Sequence, residues 1–153
     1  MFTWVFHHKY KKLFLFNNKN IERSDIMQKF IIRGRLDDLN KYTSACRTNP
    51  YKGAKMKKDN EKVIMFYIKQ TKLEKVTDYP IKVKIDWYEV NRRRDIDGIT
   101  FASKFILDAL VKMSIITDDS QKYVNAIEHH VYKDKDNPRI EVSLIYWFYL
   151  EFN

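Results

Sequence analysis

Apolar and polar positions alternate over "IKVKIDWYEV": Ile81, Val83, Ile85 and Trp87 against Lys82, Lys84, Asp86 and Tyr88. Successive side chains of a strand point to opposite faces, so this stretch, opened by Pro80, reads as a half-buried strand. Downstream the period changes. Ile99, Ala102, Phe105, Ile106, Ala109, Leu110 and Met113 step by three and four, the apolar stripe of a helix over 99–113. Lys104, Asp108 and Lys112 fall on another face of it. A second helix is predicted over 54–73, where no Gly or Pro intervenes and Met56, Val63, Phe66, Tyr67 and Gln70 recur at near-helical spacing. "QKFIIRGRL" reads as a short strand ending at Gly34, and "KYVNAIEHHVYK" and "RIEVSLIYWF" as two more, joined by "DKDNP" as a hairpin loop. "DDLNKYTSACRTNPYKGAKMKK", residues 37–58, is polar and basic and broken by Asn49-Pro50 and Gly53, which predicts a loop or a loop with broken helical turns. This order predicts an α+β fold, a mixed sheet with two main helices.

Composition narrows the partners. The 153 residues suit one domain, and 44% hydrophobic with 15% aromatic content is enough for a real core. Lys and Arg total 29 against 20 Asp and Glu, a formal charge of +9. Such a surplus points to a polyanion: nucleic acid first, an anionic membrane surface second, with a merely solvated basic surface as the bland alternative. Cys46 is the only cysteine, which excludes an intrachain disulfide and a cysteine-based zinc site and suits a reducing cytoplasm. No apolar run approaches the ~20 residues of a membrane span. With three glycines and no phosphate-cradling loop, no nucleotide cofactor is expected. "MFTWVFHHKYKKLFLFNNKN" is aromatic and basic without a signal-peptide cleavage pattern. Globular patterning begins after Met27. Residues 1–26 are therefore expected to be an extension, with an extra strand or a surface-lying basic segment as the alternative, and 27–153 the domain.

The densest acidic and arginine clusters touch in "RRRDIDGITFASKFILDALVKMSIITDDSQ", residues 92–121. In an extended segment Asp95 and Asp97 would point to one side, where two carboxylates repel unless a cation lies between them. Mg²⁺ is commonly held by one or two carboxylates plus substrate phosphate. Asp118 and Asp119 follow the helix and can join that site only if the chain turns back. Lys104 would then be a point charge for a phosphate, Arg92, Arg93 and Arg94 a backbone clamp, and the basic run Lys52, Lys55, Lys57, Lys58 and Lys62 a further DNA surface. The competing reading is an ion-pair network, with Lys104–Asp108 a simple i,i+4 pair and Asp118-Asp119-Ser120 only a turn. His129 and His130, adjacent in a strand, face opposite ways and cannot share one site. They and His7-His8 read as structural. Cys46 lacks any sequence-local activator, and the aromatic end Ile145–Phe152 reads as core packing or a dimer face.

The same stretch resembles the central motif of the RusA family of Holliday junction resolvases. Arg94-Asp95-Ile96-Asp97 matches its start, Lys104 stands four before Asp108-Ala109-Leu110, and Asp118-Asp119-Ser120-Gln121 matches its end. Less closely, "GRLDDLNKYTSACRTNPYKGAKMKK" is similar to the N-terminal region of Gram-positive phage members. The resemblance implies a homodimer making paired nicks in a four-way DNA junction with Mg²⁺ or Mn²⁺. Asp95, Asp97 and Asp119 would be the metal ligands, with Asp118 a further candidate, and Lys104 the catalytic lysine. Gly98 departs from the pattern, standing where many members carry Asn, and the linker from Asp97 to Lys104 is longer than in the shortest members. The alternatives are a non-catalytic DNA-binding protein on this fold and a nuclease for other branched DNA.

Overall fold

In a computed structural model of the chain, residues 21–151 are described, with side chains over 27–146. The element order is β1 (Ile21–Arg33), α1 (Leu39–Thr48), α2 (Pro50–Thr71), β2 (Ile81–Glu89), α3 (Ile96–Thr100), α4 (Ser103–Lys112), β3 (Val124–Lys133) and β4 (Arg139–Glu151). The four strands form one mixed sheet in the order β1-β4-β2-β3. β4 pairs antiparallel with both β1 and β2, while β3 lies parallel to β2. The architecture is thus α+β with a mixed sheet.

The α3–α4 segment returns the chain so that β3 can start beside the start of β2. Ile81 pairs with Val124 and Glu89 with Lys133. The alternation in β2 is realised: Ile81, Val83, Ile85 and Trp87 are buried with Phe30, Ile32, Val142 and Leu144. The stripe Ile99, Ala102, Phe105, Ile106, Ala109 and Leu110 is also buried in this core. The opposite sheet face carries ion pairs and stacked rings instead, among them Lys82–Glu128, Lys84–Asp86, Arg139–Glu141 and Tyr88 on Tyr132.

Several expectations are corrected. "DKDNP" does not close a hairpin, because β2 lies between β3 and β4: β3 takes one edge of β2 through the helical crossover and leaves β4 the other. The polar stretch before α2 contains a full helix, α1. There Asp38 caps the start, its side chain accepting from Lys41 N, and Tyr42 packs on Phe101 and Phe105. Asn49-Pro50 does not break a helix but starts one. Asn49 accepts from Tyr51 N, and Pro50 has no N–H to orphan in the first turn. The expected apolar stripe on α2 is misplaced, because Val63 and Phe66 are exposed while Gly53, Asn60, Glu61, Ile64 and Ile68 are buried. The buried polar members have partners: the Asn60 amide donates to Asp37 and Met56 O, and Lys57 and Lys112 pair with Glu61. The 99–113 helix divides into α3 and α4 at Phe101-Ala102. Gly34 ends the side-chain alternation of β1 at φ +82°, where any Cβ is strained. β1 begins at Ile21, so the expected extension overlaps it over 21–26. Residues 1–20 lie outside the described residues, as do the aromatic side chains beyond Tyr146.

Candidate functional site

Two acidic groups end up at opposite ends of β2. Asp95 and Asp97 are not on an extended segment. Asp95 occupies the N-cap position of α3 and Asp97 its first turn, so the two-residue alternation of a strand does not relate their side chains. Both are exposed, and neither carboxylate takes a hydrogen bond or ion pair from a described residue. Gly98 is buried, yet a Cβ built there meets nothing within 4 Å, so close packing on the α-carbon does not require glycine at this position.

Arg94 fixes where α3 begins. Its guanidinium donates to Asp38 (2.9 Å), to Glu89 Oε1 (3.1 Å) and to the Leu36 carbonyl (2.9 Å), and its side chain is only 17% exposed. Glu89 is the last residue of β2, and Arg35 also reaches it, at 3.2 Å. Arg94 therefore ties β2, the start of α1 and the start of α3 together, and is not available as a phosphate clamp. Burial works to raise the Asp38 carboxyl, but the Lys41 backbone N–H and the charge of Arg94 outweigh it and hold Asp38 ionised below the usual carboxylate range. Arg92 and Arg93 are exposed, with no partner for either guanidinium among the described residues. Arg93 lines a cleft of about 480 Å³ with Arg35, Asp37, Asp38, Lys41 and Asn91.

Asp118 and Asp119 lie in the turn between α4 and β3. This turn is held to the start of β2: Thr117 N donates to the Tyr79 hydroxyl (2.8 Å), Ile81 N to Tyr123 O (2.8 Å), and Val124 N to Ser120 O (2.9 Å). Ser120 and the Asp119 N–H hydrogen-bond Asp118 and lower its carboxyl, which makes Asp118 a turn residue, while Asp119 is exposed. The nine residues of β2 separate this turn from the start of α3 by roughly 26 Å at ~3.3 Å per residue. Among the described residues no group of three or more His, Cys, Asp and Glu side chains is arranged to hold a metal ion. One chain thus does not gather Asp95, Asp97 and Asp119.

The lysines divide. Lys104 is 58% exposed at the start of α4 and pairs with Asp108 at 3.3 Å. Lys57 points inward, 2.7 Å from Asp108 and 3.6 Å from Glu61, so it belongs to the α2–α4 contact and not to an open surface. That inward position was hidden from the sequence, because the acids it meets lie on two different helices. Lys55 and Lys62 pair with Asp59 on the outer face of α2, and Lys52 and Lys58 are exposed without a described partner. The histidines face opposite sides as expected. His129 Nδ1 accepts from Trp87 Nε1 and His130 contacts Asp86, each at 3.1 Å.

No protein-family model matches the chain. No curated protein gives a significant match either. Among the described residues no helix is long and apolar enough to cross a membrane.

Proposed function

We propose that this chain is a RusA-like, metal-dependent endonuclease for four-way DNA junctions, acting in the cytoplasm as a symmetric dimer whose metal sites are shared between copies. The observation that carries the reading is the placement of the motif: Asp95 and Asp97 at the start of α3, Lys104 in the first turn of α4, and Asp119 in the turn that follows α4. Two copies related by a two-fold axis, with these units antiparallel, would set each α3 start against the other copy's 118–119 turn, forming two equivalent sites at once. Asp95 and Asp97 of one copy and Asp119 of its partner would hold Mg²⁺ or Mn²⁺, with Asp118 kept to its turn. Bound there, the ion would supply charge neutralisation at the attacking and leaving oxygens of the phosphodiester. Lys104 contributes a compact positive charge at the phosphate. Arg92, Arg93, Lys52 and Lys58 grip the flanking backbone, which carries no sequence information and leaves selection to junction shape.

The separation of the acids within one chain also supports a second reading, a DNA-binding protein that does not cut. Cleavage of a labelled four-way junction with and without Mg²⁺ tests the first against the second. Paired nicks that need Mg²⁺ and vanish in Asp97→Asn, with junction binding retained, are expected. Binding without cleavage at any Mg²⁺ or Mn²⁺ concentration contradicts the nuclease.

A further inference from the structure

Glu61, Lys57, Asp108 and Lys104 form a line of alternating charge from the core to the surface. Lys104 Nζ lies 3.3 Å from Asp108 Oδ1, Lys57 Nζ lies 2.7 Å from Asp108 Oδ2, and Lys57 Nζ lies 3.6 Å from Glu61 Oε1. Lys112 holds the other Glu61 oxygen. The side chains of Glu61 and Asp108 are 3% and 15% exposed, against 58% for Lys104. A lysine four residues before an exposed aspartate makes a weak pair that leaves its ammonium free among rotamers. Asp108 is not such a partner. Its inward oxygen and Glu61 Oε1 have no aligned hydrogen-bond donor, and the charge both of them face is Lys57. Lys57 thereby holds the inward oxygen of Asp108, and Oδ1 is the oxygen that faces Lys104.

We propose that Asp108, held by Lys57 and Glu61, is a positioning residue that aims the Lys104 ammonium. The inference rests on the phosphate-facing role given to Lys104 above. The charge states agree with the geometry. Burial works to raise the Asp108 carboxyl, and the contact with Lys57 and the charges of Lys104 and Lys57 overcome it and leave the pKa lowered. The Lys57 ammonium is raised, chiefly by the same contact with Asp108. Asp108 and Lys57 therefore hold each other in the charged form, and neutralising either one releases the other.

Acetylation of individual lysines by acetic anhydride, followed by peptide mass spectrometry on the full chain without DNA or metal, tests this apart from catalysis. In Asp108→Asn, Lys104 should react at least about threefold faster, as expected for an amine released from an ion pair, while Lys52 and Lys58 keep their rates. Lys57→Gln, which leaves the Asp108 carboxylate to Lys104 alone, should slow Lys104, and Lys57→Arg, which keeps the charge, should restore the parent rate. In parallel, junction cleavage by Asp108→Asn at saturating enzyme should fall about tenfold with affinity unchanged, as for a displaced electrostatic group. Should Asp108→Asn not fold, the Lys57 pair carries the same comparison. Lys104 acetylation that is unmoved in the folded variants overturns the positioning role, whether or not the protein cuts DNA. Acetylation that moves in a protein cutting no junction upholds the positioning and sinks the nuclease reading alone.

Discussion

Gly53 is buried where α2 passes α1, and a Cβ built on it would lie 2.3 Å from Cys46 Sγ. Something must shift, and the helix contact would open. Gly53→Ala should therefore destabilise the protein by about 1–3 kcal/mol, the usual range for overpacking. In a Cys46→Ala background the sulfur is gone and the other Cys46 atoms are 3.5 Å away, ordinary contact. There the same substitution should stabilise by up to ~1 kcal/mol, because alanine is the better helix former. Urea unfolding of the four proteins reads the change of sign. If Gly53→Ala costs the same in both backgrounds, the Cys46 contact is not its cause. Neither residue showed this role in the sequence, where Gly53 read as a loop signal and Cys46 as an isolated thiol. The close approach exists only once two helices are packed.

The elements were legible where their pattern was local. The alternation in β2 and the three–four stepping across α3 and α4 marked the buried faces correctly, because apolar burial is recorded directly in the order of side chains. α2 misled because two of its buried positions are Asn60 and Glu61, whose partners come from Asp37 and Lys112, distant in sequence. The β3–β4 connection misled because short loops suggest hairpins, while the strand that separates these two lies far upstream. Arg94 combines both lessons: it read as one of three equivalent arginines, yet alone among them it joins three elements. Arg94→Ala would leave buried Glu89 with Arg35 alone and half-buried Asp38 without its main counter-charge, and should cost about 3 kcal/mol of unfolding free energy. Arg92→Ala with Arg93→Ala should leave stability nearly unchanged. Instead it should flatten the dependence of DNA affinity on salt by about 2 in the log–log slope, near 0.9 for each phosphate no longer neutralised. Denaturation and salt-titrated binding, run side by side, check both. An unstable double variant or a fully stable Arg94→Ala contradicts the division.

For the whole molecule, the charge balance and the 30-residue motif pointed to a metal site on DNA, while the fold spreads that motif along the sheet. Sequence order could not reveal the separation, because the unit carrying the acids is the crossover that runs from one end of β2 back to the other. The proposed site needs two copies, and mixing inactive chains separates this arrangement from one in which each chain is self-sufficient. Asp97→Asn and Asp119→Asn proteins should each fail to nick a four-way junction. Unfolded together and refolded, they should form mixed dimers if the chain pairs as proposed. If sites are shared, one site of each mixed dimer pairs the two altered residues and the other pairs intact Asp95 and Asp97 with an intact Asp119. Mg²⁺-dependent single nicks should then return, without paired cuts on opposite strands. If all the ligands of a site come from one chain, every site in the mixture carries a defect, and a mixture as inactive as its components would contradict the account.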